Sequence, residues 1–321
     1  MDSIAFTLYL PPQQPNDGLS QKAMTMKIFV TGATGHVGSA VVAELLRAGH
    51  QVVGLARSQA NEQTLATMGA QAHHGALDNL ESLRAGAANA DGVIHCAFNH
   101  EDMTKFAENG AAEKRAIETI GAALIDSQRP FVVASGVAML SPGKLATEET
   151  MRPTDLVFPR DPEGAAFAFA SRGVRVSAVR LSPTTHGRGD KHGFVPSVIR
   201  AAREHGVSVY VAAGQNKWPA VHRLDAAVLF RLALEKGVAG QRYHAVAEEG
   251  VPFKDIATVI GQGLRLPIES CTADQARAHF GGFALFAAID QRASSERTCA
   301  ALGWKPKELG LLEDIAKNYL S

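Results

Sequence analysis

Cysteine is scarce in this chain of 321 residues. The three cysteines, Cys96, Cys271 and Cys299, are odd in number and far apart. Because a disulfide framework needs paired cysteines and a zinc site needs closely spaced ligands, the sequence predicts neither, and no metal site is expected. A reducing, cytoplasmic compartment fits this scarcity best.

Net charge and long apolar runs are also missing. Lys and Arg together number 32, and so do Asp and Glu. This balance favours neither nucleic acid nor an anionic membrane surface as a partner. No apolar run is long enough to span a bilayer, and residues 4–10 lack the positive charge and cleavage site of a signal peptide. We therefore expect a small-molecule substrate, with no nucleic-acid or membrane partner.

The most informative feature present is a glycine-rich turn within residues 26–38, between an apolar strand and a helix. Gly32 allows a sharp turn, Gly35 lets the main chain approach a pyrophosphate, and Gly38 allows the helix to pack closely on the sheet. The helix directs its N-terminal amides and positive dipole end at the phosphates. A second strand at 51–55 completes the unit, which predicts a dinucleotide-binding turn.

Strand and helix patterns alternate as far as residue 181, which predicts a Rossmann-type, doubly wound parallel sheet of the α/β class. From residue 182 the pattern is mixed, with helices predicted over 195–205, 225–235, 253–264, 272–288 and 308–319. The predicted organisation is a flexible, proline-rich N-terminal extension (1–25), a dinucleotide-binding core (26–181), and a smaller mixed segment that forms a substrate lobe and completes the core (182–321).

Five segments carry spaced motifs, and together they resemble one superfamily. The segments are Thr31-Gly32-Ala33-Thr34-Gly35-His36-Val37-Gly38, the strand ends 93–98 and 132–136, Arg180-Leu181-Ser182-Pro183-Thr184-Thr185-His186-Gly187, and the helix start 221–227. They are similar to the motifs of the short-chain dehydrogenase/reductase superfamily, in its extended, epimerase/dehydratase-like branch. The resemblance covers nearly the whole chain after Met26. It implies a Rossmann fold and a nicotinamide dinucleotide cofactor.

The resemblance also implies which residues bind the cofactor. These are Gly32, Thr34, Gly35, His36, Val37 and Gly38 in the turn, Arg57 and Ser58 after the second strand, Ala76 and Leu77 at the adenine, and Cys96, Ala97, Phe98 and Pro183 at the nicotinamide end. Ala56 stands where an acidic residue would bind a ribose 2′-hydroxyl. Arg57 can instead pair with a 2′-phosphate, supplemented by Ser58, so the sequence favours NADP(H) over NAD(H).

The catalytic Tyr-x-x-x-Lys motif of the superfamily is absent. In members that have it, the tyrosine hydroxyl gives or takes the substrate proton, and the lysine binds the nicotinamide ribose and lowers the tyrosine pKa. Counting from the flanking motifs places Asp155 and Pro159 at these positions, and no tyrosine lies anywhere between residues 135 and 180. Asp155 could supply an acid or belong to a proline-stiffened loop. The usual proton-transfer mechanism therefore does not carry over.

Three other side chains are candidates for proton transfer. Ser135 could hydrogen-bond a substrate carbonyl, although by one count the superfamily's serine position falls on Gly136. His100 follows the cofactor-facing strand end, and His186 replaces a tyrosine near the nicotinamide. Either imidazole would titrate near neutral pH and could act as a general acid. The plainer alternative for each histidine is a surface or packing role.

Three functions fit these observations. The first is an NADP(H)-dependent oxidoreductase that acts on a small carbonyl or alcohol by a non-standard proton transfer. The second is a non-catalytic, NADP(H)-binding redox sensor, which the missing Tyr-x-x-x-Lys motif favours. The third is an isomerase or dehydratase that retains its nicotinamide cofactor. A homodimer is possible through the predicted helices 104–127 and 163–171.

Overall fold

A computed structural model describes residues 25–100, 103–153 and 159–320. The N-terminal extension, apart from its last residue, and Asp155 lie outside the described residues. The described part contains twelve strands: β1 (Lys27–Thr31), β2 (Gln51–Ala56), β3 (Gln71–His74), β4 (Gly92–His95), β5 (Pro130–Gly136), β6 (Arg175–Leu181), β7 (Thr184–His186), β8 (Ser208–Val211), β9 (Lys217–His222), β10 (Arg242–Ala245), β11 (Glu248–Pro252) and β12 (Ile268–Cys271).

The same residues form twelve α-helices, and none of them is long and apolar enough to cross a membrane. The helices are α1 (His36–Arg47), α2 (Gln59–Thr67), α3 (Leu80–Ala88), α4 (Phe106–Ala123), α5 (Pro162–Phe167), α6 (Phe194–His205), α7 (Arg223–Lys236), α8 (Phe253–Leu264), α9 (Ala273–Phe280), α10 (Ala284–Ala288), α11 (Glu296–Leu302) and α12 (Leu311–Asn318).

The central sheet has seven parallel strands in the order β3-β2-β1-β4-β5-β6-β10. The predicted Rossmann-type α/β fold is confirmed. The order reverses between β1 and β4, and ligands of such sheets bind outside the carboxyl ends of the strands at this point. The seventh strand, β10, was not predicted, because the short sequence Arg-Tyr-His-Ala has neither an apolar run nor a clear alternation.

Helices cover both faces of this sheet. On one face α1 and α7 share a core with Val30, Val132 and Trp304. On the other face α3, α4 and α5 pack around Phe29, Phe131 and other apolar side chains. Because α7 and Trp304 come from the C-terminal half of the chain, that half contributes directly to the core of the dinucleotide-binding unit.

The remaining C-terminal elements form a smaller lobe with its own core. Its sheets are β11-β9-β7 and β12-β8, and Trp218 and Phe253 lie fully buried between them and the surrounding helices. The predicted continuous helix over 272–288 is wrong. Gly281 adopts a φ of 56°, so α9 ends at Phe280, and a 3-10 turn over Gly281–Phe283 separates it from α10.

Candidate cofactor and substrate site

The glycine turn lies where the strand order reverses. Gly32 has a φ of +68°, and a Cβ there would come within 2.8 Å of the main chain at Cys96 and Ala97. A Cβ at Gly38 would lie closer than 3.0 Å to the carbonyl oxygen of Gly32. The amide of Gly35 donates to that same oxygen at 2.9 Å. The turn therefore needs small residues for its own packing, and it leaves the N-terminus of α1 open as a dinucleotide cradle requires.

The segment after β4 packs directly against this turn. The amide of Cys96 donates to the carbonyl of Thr31 at 3.2 Å, and the main chain of Cys96 and Ala97 lies against Gly32. Burial raises the pKa of the Cys96 thiol to about 12, so this cysteine is a small apolar group rather than a nucleophile. The structure thus brings together the predicted pyrophosphate and nicotinamide ends of the cofactor site.

Two side chains tie the turn to the C-terminal half. A ring nitrogen of His36, Nε2, lies 3.1 Å from the carbonyl oxygen of Thr185, in the segment that follows Pro183. Arg223 at the start of α7 donates from Nη2 to Ser39 Oγ at 2.8 Å. Sequence reasoning missed Arg223. Burial lowers the pKa of His36, so its neutral form, with Nε2 as the donor to the carbonyl, is favoured.

The residues predicted to bind the adenosine end of the cofactor follow β2 and β3. Ser58 Oγ accepts from the amide of Asn61 at 3.3 Å and begins α2, which leaves its hydroxyl hydrogen for another acceptor. Arg57 beside it is exposed. The half-buried Ala76 and Leu77 follow β3, and Thr34 and Val37 are half-buried at the turn. The arrangement places one cation and one hydroxyl at the end of β2.

Ser135 lies at the end of β5 and is 5% exposed. The carboxylate of Glu163 accepts two bonds from Arg180, at 2.7 and 2.8 Å, and one from Arg242. Arg180, Ser135 and Arg242 together lower the pKa of Glu163 to about 2. Ser135 therefore lies at the carboxyl end of β5 in the neighbourhood of an ionised carboxylate, and its role in proton transfer stays a prediction. Gly136 has no hydroxyl, so only the count that selects Ser135 supplies a hydroxyl donor.

His186 lies on β7, fully buried under the C-terminal helix. Its Nδ1 is 2.7 Å from Asp314 Oδ2 on α12, and its ring meets the His222 ring at a centroid distance of 5.4 Å. Its Nε2 has no hydrogen-bond partner among the described residues. The polar contact with Asp314 therefore joins β7 to α12, and the ring contact with His222 joins β7 to β9.

His100 belongs to a cluster beyond the end of β4. The Phe98 ring meets the His100 ring at 4.7 Å, and the Arg160 guanidinium lies 4.3 Å from the centre of the same Phe98 ring. Arg160 makes a two-pronged ion pair with Glu113 at 2.7 and 2.6 Å. Desolvation, followed by the positive charges of Arg160 and His192, lowers the pKa of His100 to about 4. These influences favour the neutral form of the His100 ring, which itself lies at the exposed edge of the cluster.

The His100 cluster includes a group from the smaller lobe. His192, which acts electrostatically on His100, precedes α6 of that lobe, and sequence reasoning missed it together with Arg160 and Glu113. The cluster places an imidazole and a guanidinium against Phe98, which the sequence assigns to the nicotinamide end of the cofactor site. Across the described residues, no three His, Cys, Asp or Glu side chains group in a way that could hold a metal ion.

Comparisons with known proteins agree with this geometry. Residues 28–246 match the model of the NAD dependent epimerase/dehydratase family. The chain is 47% identical to the uncharacterized protein C2A9.02 of Schizosaccharomyces pombe over 91% of its own length and 99% of that protein. It is 26% identical to the 4-hydroxy-2-methyl-3-oxo-4-farnesyl-3,4-dihydroquinoline-1-oxide ketoreductase of Stigmatella aurantiaca, over 92% of this chain and 91% of that one.

A solved structure shows the same fold. MoeE5, in complex with UDP-glucose and NAD, matches with a TM-score of 0.71 and 21% identity over 91% of this chain and 97% of that chain. The glycine turn without room for side chains and the strand ends packed against it fit a nicotinamide dinucleotide. With the family match over two thirds of its length, the chain belongs to the NAD dependent epimerase/dehydratase family, in the extended branch of the short-chain dehydrogenase/reductase superfamily, and is an enzyme of the oxidoreductase type.

Proposed function

We propose that the protein is an NADP(H)-dependent oxidoreductase that reduces a small carbonyl compound, or oxidises the corresponding alcohol, without the Tyr-x-x-x-Lys pair. The observation that carries the proposal is the glycine turn packed against Cys96 and Ala97, with Phe98 and the His100 cluster next along the chain. Similarity to the Stigmatella aurantiaca ketoreductase supports redox chemistry on a carbonyl.

The test is turnover by the purified protein. NADPH oxidation is followed at its absorbance band with a panel of aldehydes and ketones, and NADP+ reduction with the matching alcohols. We expect that at least one carbonyl compound is reduced, with NADPH oxidised faster than in the reaction without substrate. Binding of NADPH without any turnover across the panel would favour the redox sensor. Nicotinamide that copurifies in stoichiometric amounts and is retained through the reaction would favour an isomerase or dehydratase.

In this mechanism the protein's own residues bind the cofactor, orient the substrate carbonyl and stabilise the negative charge that develops on its oxygen. The glycine turn and the strand end after β4 would hold NADPH, which would supply the hydride for reduction of the carbonyl carbon and would leave as NADP+. The neutral His100 donates a ring N–H hydrogen bond to the carbonyl oxygen as negative charge develops there. The proton that completes the alcohol comes from water. Arg160, held by Glu113 and stacked on Phe98, keeps the His100 ring in place and the local field positive.

Replacing His100 with alanine should lower kcat about a hundredfold, because the developing alkoxide loses its hydrogen-bond donor. The affinity for NADPH should stay unchanged. Steady-state kinetics on a carbonyl from the panel measures the first quantity, and fluorescence titration measures the second. The pKa of His100 is lowered to about 4. The pH profile of kcat for the wild-type protein should therefore show no change caused by ionisation of His100 between pH 6 and 8.

The exposed His205 at the end of α6 provides the matched control, and His205→Ala should leave kcat unchanged. Retention of wild-type kcat in His100→Ala would exclude this role. The same assay on Ser135→Ala and His186→Phe then decides whether one of the other two candidates takes part.

Arg57 is expected to set the cofactor preference. The intact protein should bind NADPH more tightly than NADH, because the guanidinium can pair with the 2′-phosphate and Ala56 stands where an acidic residue would bind a ribose 2′-hydroxyl. Arg57→Ala should weaken NADPH binding by roughly tenfold to a hundredfold and leave NADH binding unchanged. Fluorescence titrations with both cofactors measure the effect. Arg277→Ala, on an exposed turn of α9, is the control, and equal affinities in the intact protein would refute the preference.

The homodimer and the cytoplasmic location remain part of the proposal. Helices α4 and α5 correspond to the predicted dimer contacts. Measurement of the molar mass in solution by light scattering tests the first, and fractionation of cells that produce the protein tests the second.

A further inference from the structure

Gln291 is a buried side chain without a partner. It is 3% exposed, and neither its amide nitrogen nor its amide oxygen has a hydrogen-bond partner among the described residues. Buried polar groups of folded proteins are almost always paired, and leaving both ends of an amide unpaired destabilises the fold. A ligand that pairs with both ends of the amide would explain why this side chain is buried without a protein partner.

The segment around Gln291 is extended and held on both sides. Successive residues of this segment make main-chain hydrogen bonds to opposite sides, as residues of a β-strand do. They run from Gln291 N to Lys217 O at 3.0 Å, from Ala293 N to Glu249 O at 3.1 Å, from Gly143 N to Asp290 O at 2.9 Å and from Ala146 N to Arg292 O at 2.9 Å. Since alternate side chains of an extended segment share a face, Gln291 and Ala293 lie on the same face.

That face is turned toward the carboxyl edge of the central sheet. Ala293 packs in a small apolar cluster with Val137, Leu140, Ala146 and Val246. Val137 directly follows β5, and Val246 directly follows β10. The face that carries Gln291 therefore looks onto the loops at the end of the sheet opposite the adenosine half, and ligands of open α/β sheets bind outside this edge.

We infer that the Gln291 amide binds the substrate and selects carbonyl compounds that carry a second polar group, such as α-hydroxy ketones. An amide presents an acceptor oxygen and a donor N–H side by side. An α-hydroxy ketone offers the complementary pair, a hydroxyl donor next to a carbonyl acceptor. A simple ketone leaves the amide oxygen unpaired. This inference rests on the proposed carbonyl reduction and adds the substrate class.

The experiment compares Gln291→Met with the wild-type protein. Methionine has a similar length and no hydrogen-bonding demand, so the variant without substrate should melt higher by roughly 1–3 °C. With NADPH, kcat/KM for acetoin should fall about tenfold, and the value for butanone, which lacks the hydroxyl, should change little. The exposed Gln215 supplies the control, and Gln215→Met should change neither quantity.

Binding provides a readout that does not depend on turnover. In the presence of NADP+, acetoin should raise the melting temperature of the wild-type protein but not that of Gln291→Met. Absence of this rise in the wild-type protein overturns the inference, as does a Gln291→Met variant that melts lower than the wild type, or an equal loss of kcat/KM for both ketones. If acetoin protects the wild-type protein but no carbonyl is reduced, the proposed function fails while the binding role of Gln291 stands.

Discussion

Replacing Gly38 with alanine should abolish NADPH binding and lower the free energy of unfolding by about 3 kcal/mol or more. The new Cβ would meet the carbonyl oxygen and carbon of Gly32, both closer than 3.0 Å. Both partners are main-chain atoms, so no side-chain rotation relieves the overlap, and α1 must move away from the turn. Urea denaturation measures the stability, and quenching of protein fluorescence by NADPH measures binding.

Substitutions at two other glycines serve as comparisons that separate the effect of steric overlap on stability from the effect on NADPH affinity. A Cβ at Gly35 meets the Gly32 carbonyl oxygen at 3.2 Å, which a small adjustment relieves, so Gly35→Ala should destabilise much less. Its remaining effect should fall on NADPH affinity, since Gly35 is the position at which a pyrophosphate approaches the main chain. At Gly282 nothing lies within 4 Å of the new atom, and Gly282→Ala should be neutral in both assays. A Gly38→Ala protein that binds NADPH normally would refute the assignment of the turn.

The first half of the chain could be predicted because its structure follows local rules. The strands β1, β4 and β5 are apolar runs buried on both faces of a parallel sheet, and the helices between them have clear periodicity. In the second half the short strands contain polar residues or proline, as in Lys-Trp-Pro-Ala-Val-His of β9. Tertiary contacts hold these strands, and no local pattern of residues indicates them.

The residues of the candidate site likewise fall into those that a local sequence pattern indicates and those that only tertiary contacts reveal. The glycine turn is local, so its spacing was visible in the sequence. The ion pair of Arg160 with Glu113 joins residues 47 positions apart, and the positive charge of Arg160 helps to lower the pKa of His100. Gln291 is unremarkable in sequence and becomes informative only through its burial. One long-range signal was present, since an arginine near the end of a largely buried strand, Arg180 in β6, requires a buried acidic partner.

The acidic partner of Arg180 is Glu163, and its replacement is the second substitution for which we expect a large loss of stability. Glu163→Ala should lower the free energy of unfolding by about 3–5 kcal/mol, because Arg180, which is 1% exposed, would remain as an uncompensated buried charge. Glu163→Gln keeps the shape and one acceptor, and about 3 kcal/mol is expected from the loss of charge. Glu149 also pairs with an arginine, Arg297, but both are exposed, so Glu149→Gln should change stability by less than about 1 kcal/mol.

The pH dependence identifies the charge of Glu163 as the cause. Its pKa is about 2 in the folded protein, and the ordinary value is 4.5. A depressed carboxyl pKa contributes stability that is fully present above the unfolded value and is lost as the pH falls from about 4.5 toward 2. Urea denaturation between pH 3 and 7 should therefore show the gap between wild type and Glu163→Gln constant above pH 5 and narrowing below it, whereas Glu149→Gln should follow the wild type. A gap that does not narrow in acid would mean that the shape of the side chain, rather than its charge, supports Arg180.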